Sequence, residues 1–74
     1  MNSIEEWSRT QNLRALKDTQ RFIDSLHMDL DELDAKLSAT GDLSAEDIAR
    51  RNRRYAMLGE MYHNRRFIEA ELSK

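Results

Sequence analysis

Apolar side chains along this chain recur at helical spacing. Leu16, Ile23, Leu30 and Leu37 stand seven residues apart, and Leu26 and Leu33 fall three after Ile23 and Leu30. That is a stripe of the a/d kind sustained over several heptads, the signature of a helix that buries one seam against another helix. A looser stripe follows in the second half: Ile48, Tyr55, Leu58, Tyr62 and Leu72, with Arg51 and Arg65 at places where an ideal seam would be apolar.

The punctuation between the stripes fits a hairpin. Ser3 with Glu6 has the spacing of a capping box, in which serine and glutamate side chains satisfy backbone N–H groups at a helix start. The run Ala39-Thr40-Gly41-Asp42 offers a glycine that can end a helix in the left-handed region without a Cβ penalty. Ser44 and Asp47 then repeat the capping pair, and Leu43 with Ile48 has the spacing of a hydrophobic staple. These signals predict a helix over about 4–39, a turn over about 40–44 and a helix over about 45–72. The fold class is all-α, a single antiparallel two-helix hairpin spanning residues 1–74.

Apolar residues left off the two stripes change that picture. At about 100° per residue, Met57, Met61 and Ile68 fall on a second face of helix two, Phe67 on another, and Trp7 points away from the helix-one seam. Folding the chain at Gly41 sets opposite one another residues whose numbers sum to roughly 83. Ile4, Trp7 and Leu13 therefore meet Phe67, Ile68 and Leu72 at the open end. Burying a large apolar side chain is worth about 1.5–3 kcal/mol, whereas ordering each residue costs roughly 1.5 kcal/mol, so a hairpin with one shared seam is marginal. The expectation is an interface through Trp7, Leu13, Met57, Met61, Phe67, Ile68 and Leu72. It would serve a homodimer that forms a four-helix bundle, or a partner protein's helix. The competing reading is that helix one bends near Thr10-Gln11-Asn12 and folds Trp7 back onto the hairpin's own core.

Charge is also organised. Of 12 basic and 14 acidic side chains, five basic and eleven acidic ones lie in residues 1–49, and seven basic and three acidic ones in residues 50–74. The dense blocks are Asp29, Asp31, Glu32 and Asp34, and Arg50, Arg51, Arg53 and Arg54. In the hairpin register they face each other, 51 meeting 32 and 54 meeting 29. Cross-hairpin pairing that fixes the register is the preferred reading, because the acidic block would neutralise the basic one and repel phosphate. The alternative is a nucleic-acid contact through Arg50, Arg51, Arg53, Arg54, Arg65 and Arg66.

Other chemistry is thin. Asp24 and His27, and Glu60 and His63, each have the acid-x-x-His spacing found in di-metal bundles, but the helical phase turns Asp24 and Glu60 outward, so no metal or other cofactor is expected. The chain has no cysteine, no Gly-x-Ser-x-Gly elbow and no phosphate-cradling glycine loop, so neither an enzyme nor a small-molecule substrate is expected. Without a signal-like or membrane-spanning apolar run, the expected setting is the cytoplasm, off the membrane. The outline, a short cysteine-free hairpin with heptad seams, is similar to that of plasmid-copy regulators of the Rop type and of small helical chaperones of bacterial secretion systems. The likeness is one of outline, and no residue role is carried over. The functional expectation is a small protein-binding adaptor or regulator that self-associates, with a nucleic-acid-binding helix as first alternative and a structural subunit or chaperone of a larger assembly as second.

Overall fold

A computed structural model describes residues 3–74; residues 1–2 of the expected domain lie outside the described part. Two helices fill it, α1 over Ser3–Thr40 and α2 over Ala45–Leu72, packed antiparallel as a hairpin. The particle measures 60 × 16 × 15 Å. Its length is that of α1 itself, since 38 residues rising 1.5 Å each span about 57 Å.

The turn closes on local hydrogen bonds. Gly41 adopts φ +75°, a left-handed conformation that a Cβ disfavours, and its N–H donates to the Leu37 carbonyl at 2.7 Å. The Thr40 hydroxyl stands 2.8 Å from the Lys36 carbonyl and 2.7 Å from that of Asp42. The Leu43 N–H donates to the Asp42 carboxylate at 2.8 Å. Ser44 caps α2, its hydroxyl accepting from the Asp47 N–H at 3.1 Å. Asp47 does not complete the box: its carboxylate takes the Lys36 ammonium across the turn. Leu43 is buried beside this cap whereas Ile48, its expected staple partner, is 40% exposed. At the other end Ser3 already lies within α1, and no side-chain hydrogen bond joins it to Glu6.

Ile23, Leu26, Leu30 and Leu58 form the core cluster, with Leu33 and Leu43 also buried toward the turn. On α1 the core follows the predicted stripe through Leu33. On α2 it does not. Met57, Met61 and Tyr62 pack against the cluster, while Tyr55 is 51% exposed. The true α2 seam runs through Asp47, Arg50, Arg51, Arg54, Leu58, Met61, Arg65, Ile68 and Leu72, all buried or half-buried. It shares Leu58 and Leu72 with the expected stripe and is rotated by roughly a quarter turn from that stripe's Ile48–Tyr55–Tyr62 edge. Near the turn this seam is charged, so apolar residues mark its neighbour instead. Long arginine stems can cover apolar surface while their heads stay in water, which lets such a seam form.

Candidate interaction faces

Cross-hairpin contacts fix the register and define two flanks. Lys36 pairs with Asp47, Arg54 Nε donates to Asp29 at 2.9 Å, Arg65 donates to the Gln20 side chain at 3.0 Å, and Arg9 donates to the Leu72 carbonyl at 3.3 Å. All four follow the register in which opposed numbers sum to roughly 83.

One flank is marked by Asp29, which receives Arg54 and, at 3.7 Å, Arg50. Counting in steps of three, four or seven from these residues stays on one side of each helix. On α1 the count reaches Phe22, Ala15 and Trp7; on α2 it reaches Met57, Met61 and Ile68. The same count also passes Gln11, Asp18, Ser25 and Asn64, so these apolar residues are interspersed with polar ones; for the former we call this side the apolar flank. The opposite flank is marked by His27 and Tyr62, whose Nε2 and hydroxyl share a 2.7 Å hydrogen bond. The Arg65 guanidinium lies 4.9 Å from the centre of the Tyr62 ring, a cation–π arrangement. Tyr55 and Ile48 continue that flank, and Leu13 lies on its α1 side.

The residues expected to form an interface therefore separate. Trp7 and Phe67, each 64% exposed, stand at the outer edges of the apolar flank. Met57, Met61 and Ile68 are half-buried between that flank and the seam, which corrects their expected placement on a face detached from the core. Leu72 closes the seam at the open end, and Leu13, 49% exposed, belongs to the other flank. Helix α1 is continuous through Thr10-Gln11-Asn12, so Trp7 is not folded back. At the open end Ile4, Arg9, Asn12 and Leu72 border a shallow groove of about 560 Å³.

The arginine run divides in the same way. Arg50 and Arg54 share Asp29, and Arg65 also pairs with Glu69 at 3.6 Å. Arg51, Arg53 and Arg66 take part in no ion pair among the described residues, nor do Asp31, Glu32 and Asp34. The blocks thus meet through one aspartate, narrower than the block-to-block pairing expected. Asp24 accepts from Gln20 at 3.0 Å, Glu60 and His63 are exposed, and no group of three metal-ligating side chains occurs among the described residues. Nor is any described helix long and apolar enough to cross a membrane.

Among the described residues Asp47 has a perturbed acidity. The Lys36 ammonium that donates to it holds its carboxyl below the ordinary value of 3.8, with the Ser44 hydroxyl and the Arg50 charge acting in the same direction and desolvation opposing. This is the chemistry of a turn clasp.

No family model, no curated protein and no solved structure matches the chain.

Proposed function

We propose that the chain is a small non-enzymatic adaptor or regulator of the cytoplasm that associates with a second copy and acts by occupying a surface of another protein. The observation that carries this reading is the exposure of Trp7 and Phe67, 64% each, beside an apolar flank on a hairpin with six buried core residues. Large aromatic side chains are the usual anchors of protein interfaces, and methionines such as Met57 and Met61 suit an adaptable one. The cysteine-free composition fits a reducing compartment.

Sedimentation across micromolar concentrations tests the first half. Wild type should sediment as a dimer, and Trp7→Ala with Phe67→Ala should sediment as a folded monomer. A wild-type chain that stays folded and monomeric overturns the reading.

A nucleic-acid contact is the second reading, and Arg51, Arg53 and Arg66, without ion pairs, are the cations left for it. It predicts salt-dependent binding of duplex DNA or hairpin RNA that Arg53→Glu with Arg66→Glu removes. No retardation at low salt excludes it.

A further inference from the structure

One heptad count runs through both helices without a break. From Asn12 to Leu33, alternate steps of four and three residues always meet a buried or half-buried residue. The same steps continue through Leu37, Thr40 and Ser44 to Asp47, and from there every step as far as Leu72 again meets a buried or half-buried residue. All other buried or half-buried residues of the two helices are immediate chain neighbours of these, so the count accounts for the whole interior of each helix. Nothing in a hairpin requires this. Each helix needs a seam of its own, and a turn can join two seams at any phase. A straight helix drawn through such a turn would then carry its seams on different sides; with the slight under-winding of a coiled coil, this one carries a single seam.

The turn interrupts little. Only Gly41 to Ser44 leave helical geometry between the two helices, none of them is proline, and the Gly41 N–H is already bonded to the carbonyl of Leu37, four residues back. From this we infer that the turn is a hinge and that the chain has a second form, one helix from α1 through α2 that exchanges α2 with another copy of itself. Two straight chains lying antiparallel about a twofold axis through Asp42 set each seam residue against the residue it faces in the hairpin register, now on the other copy: Asn12 with Leu72, Leu26 with Leu58, Leu33 with Arg51. The Asp29–Arg54, Lys36–Asp47 and His27–Tyr62 contacts are remade between chains. At the axis the heptad phase turns Asp42 outward, so the two aspartates point apart. Leu43, buried in the turn, falls beside the seam and meets Leu43 of the other copy. This goes beyond the flank association proposed above and does not rest on it, because it uses the seam and leaves Trp7 and Phe67 as they are.

The two forms share their helix contacts, so the balance between them is set at the hinge and by concentration. The left-handed Gly41, φ +75°, and the Ser44 cap hold the hairpin, which needs no second molecule. An alanine at position 41 acts twice on each chain, disfavouring the left-handed turn and favouring the helix. The straight pair would be about 105 Å long at 1.5 Å per residue, against 60 Å for the hairpin.

Distance within one chain tests the hinge. Because the chain has no cysteine, spin labels can be placed at Ser25→Cys and Glu60→Cys, two exposed sites level with one another. Dilution with unlabelled chain leaves only the distance within a molecule to be read by double electron–electron resonance. The hairpin gives less than about 25 Å, from an interaxial spacing of about 8–10 Å, and the straight form about 52 Å. Unfolded and refolded at rising concentration, wild type should pass from the short distance toward the long one by the millimolar range. Gly41→Ala should lower the midpoint concentration about a hundredfold or more. Two alanines inserted after Asp42 leave the hairpin able to close but turn the seams about 200° apart, so the long distance should vanish. A distance that stays short into the millimolar range in both wild type and Gly41→Ala overturns the hinge. It does so whether or not sedimentation shows a dimer, so the flank association stands or falls separately. A long distance that survives the insertion also overturns it, since the shared seam would not be its cause.

Discussion

Asp29 receives two arginines from one face of α2, Arg54 at 2.9 Å and Arg50 at 3.7 Å. Because Arg50 and Arg54 are one helical turn apart, the carboxylate bridges adjacent rungs of the opposite helix and resists sliding of α1 along α2. Asp29→Asn should therefore lower stability by about 0.5–1.5 kcal/mol in urea unfolding, since it leaves two half-buried guanidinium groups without their anion. Arg53→Ala, at a site without an ion pair, should fall within about 0.5 kcal/mol of wild type in the same measurement when the protein is monomeric.

Asp47 gives the turn a defined acid response. Its carboxyl is held below its ordinary value of 3.8 by Lys36, so the folded state binds the proton less readily than the unfolded one. The contribution is fully present above that ordinary value and is lost as pH falls through the lowered one. Lys36→Met should flatten this part of the profile, giving a smaller drop in melting temperature between pH 5 and pH 2 than wild type, followed by far-ultraviolet circular dichroism. An identical drop in both proteins would contradict the clasp.

Leu30 sits in the core cluster with Ile23, Leu26 and Leu58. Leu30→Ala should cost about 2–5 kcal/mol through lost transfer energy and residual cavity, enough to unfold a domain this small at ambient temperature. Met28, two residues away and 68% exposed, should tolerate alanine within about 0.5 kcal/mol. Thermal melts of the two variants separate core from surface directly.

The two glycines should respond with opposite signs. Gly41 has φ +75°, so Gly41→Ala should destabilise by about 1–2 kcal/mol. Gly59 lies inside α2, and a Cβ there meets nothing within 4 Å. Gly59→Ala should stabilise by about 0.5–1 kcal/mol through reduced backbone entropy in the unfolded chain. Chemical denaturation of both variants checks the pair.

The α1 stripe was legible because leucine and isoleucine occupy it almost without interruption, and the turn because glycine, serine and aspartate each have a specific backbone task there. The α2 seam is legible at Leu58, Tyr62 and Leu72, with Arg51 and Arg65, and hidden nearer the turn for a physical reason. Near the turn its inward positions are Asp47, Arg50, Arg51 and Arg54, whose stems can cover apolar surface although their heads are charged. Of the nearest apolar heptad, Ile48 and Tyr55 lie exposed on a flank and only Tyr62 reaches the core. Hydropathy weights the whole side chain and cannot separate an arginine's stem from its head. The His27–Tyr62 hydrogen bond was equally invisible, because it depends on that quarter-turn difference in phase. Opposed charge blocks were visible, but not that Asp29 would take two arginines while Asp31, Glu32 and Asp34 took none.

Arg9 meets the last carbonyl of α2, so Ser3 to Ser8 continue beyond the point where α2 ends. A terminal helical stretch of under two turns has less cooperative support than the middle of a helix. Its amides should exchange with deuterated water far faster than those around Leu26, and slow once another molecule lies alongside. The protruding tip thus works as a built-in gauge of occupancy, readable at the backbone before any binding partner has been named.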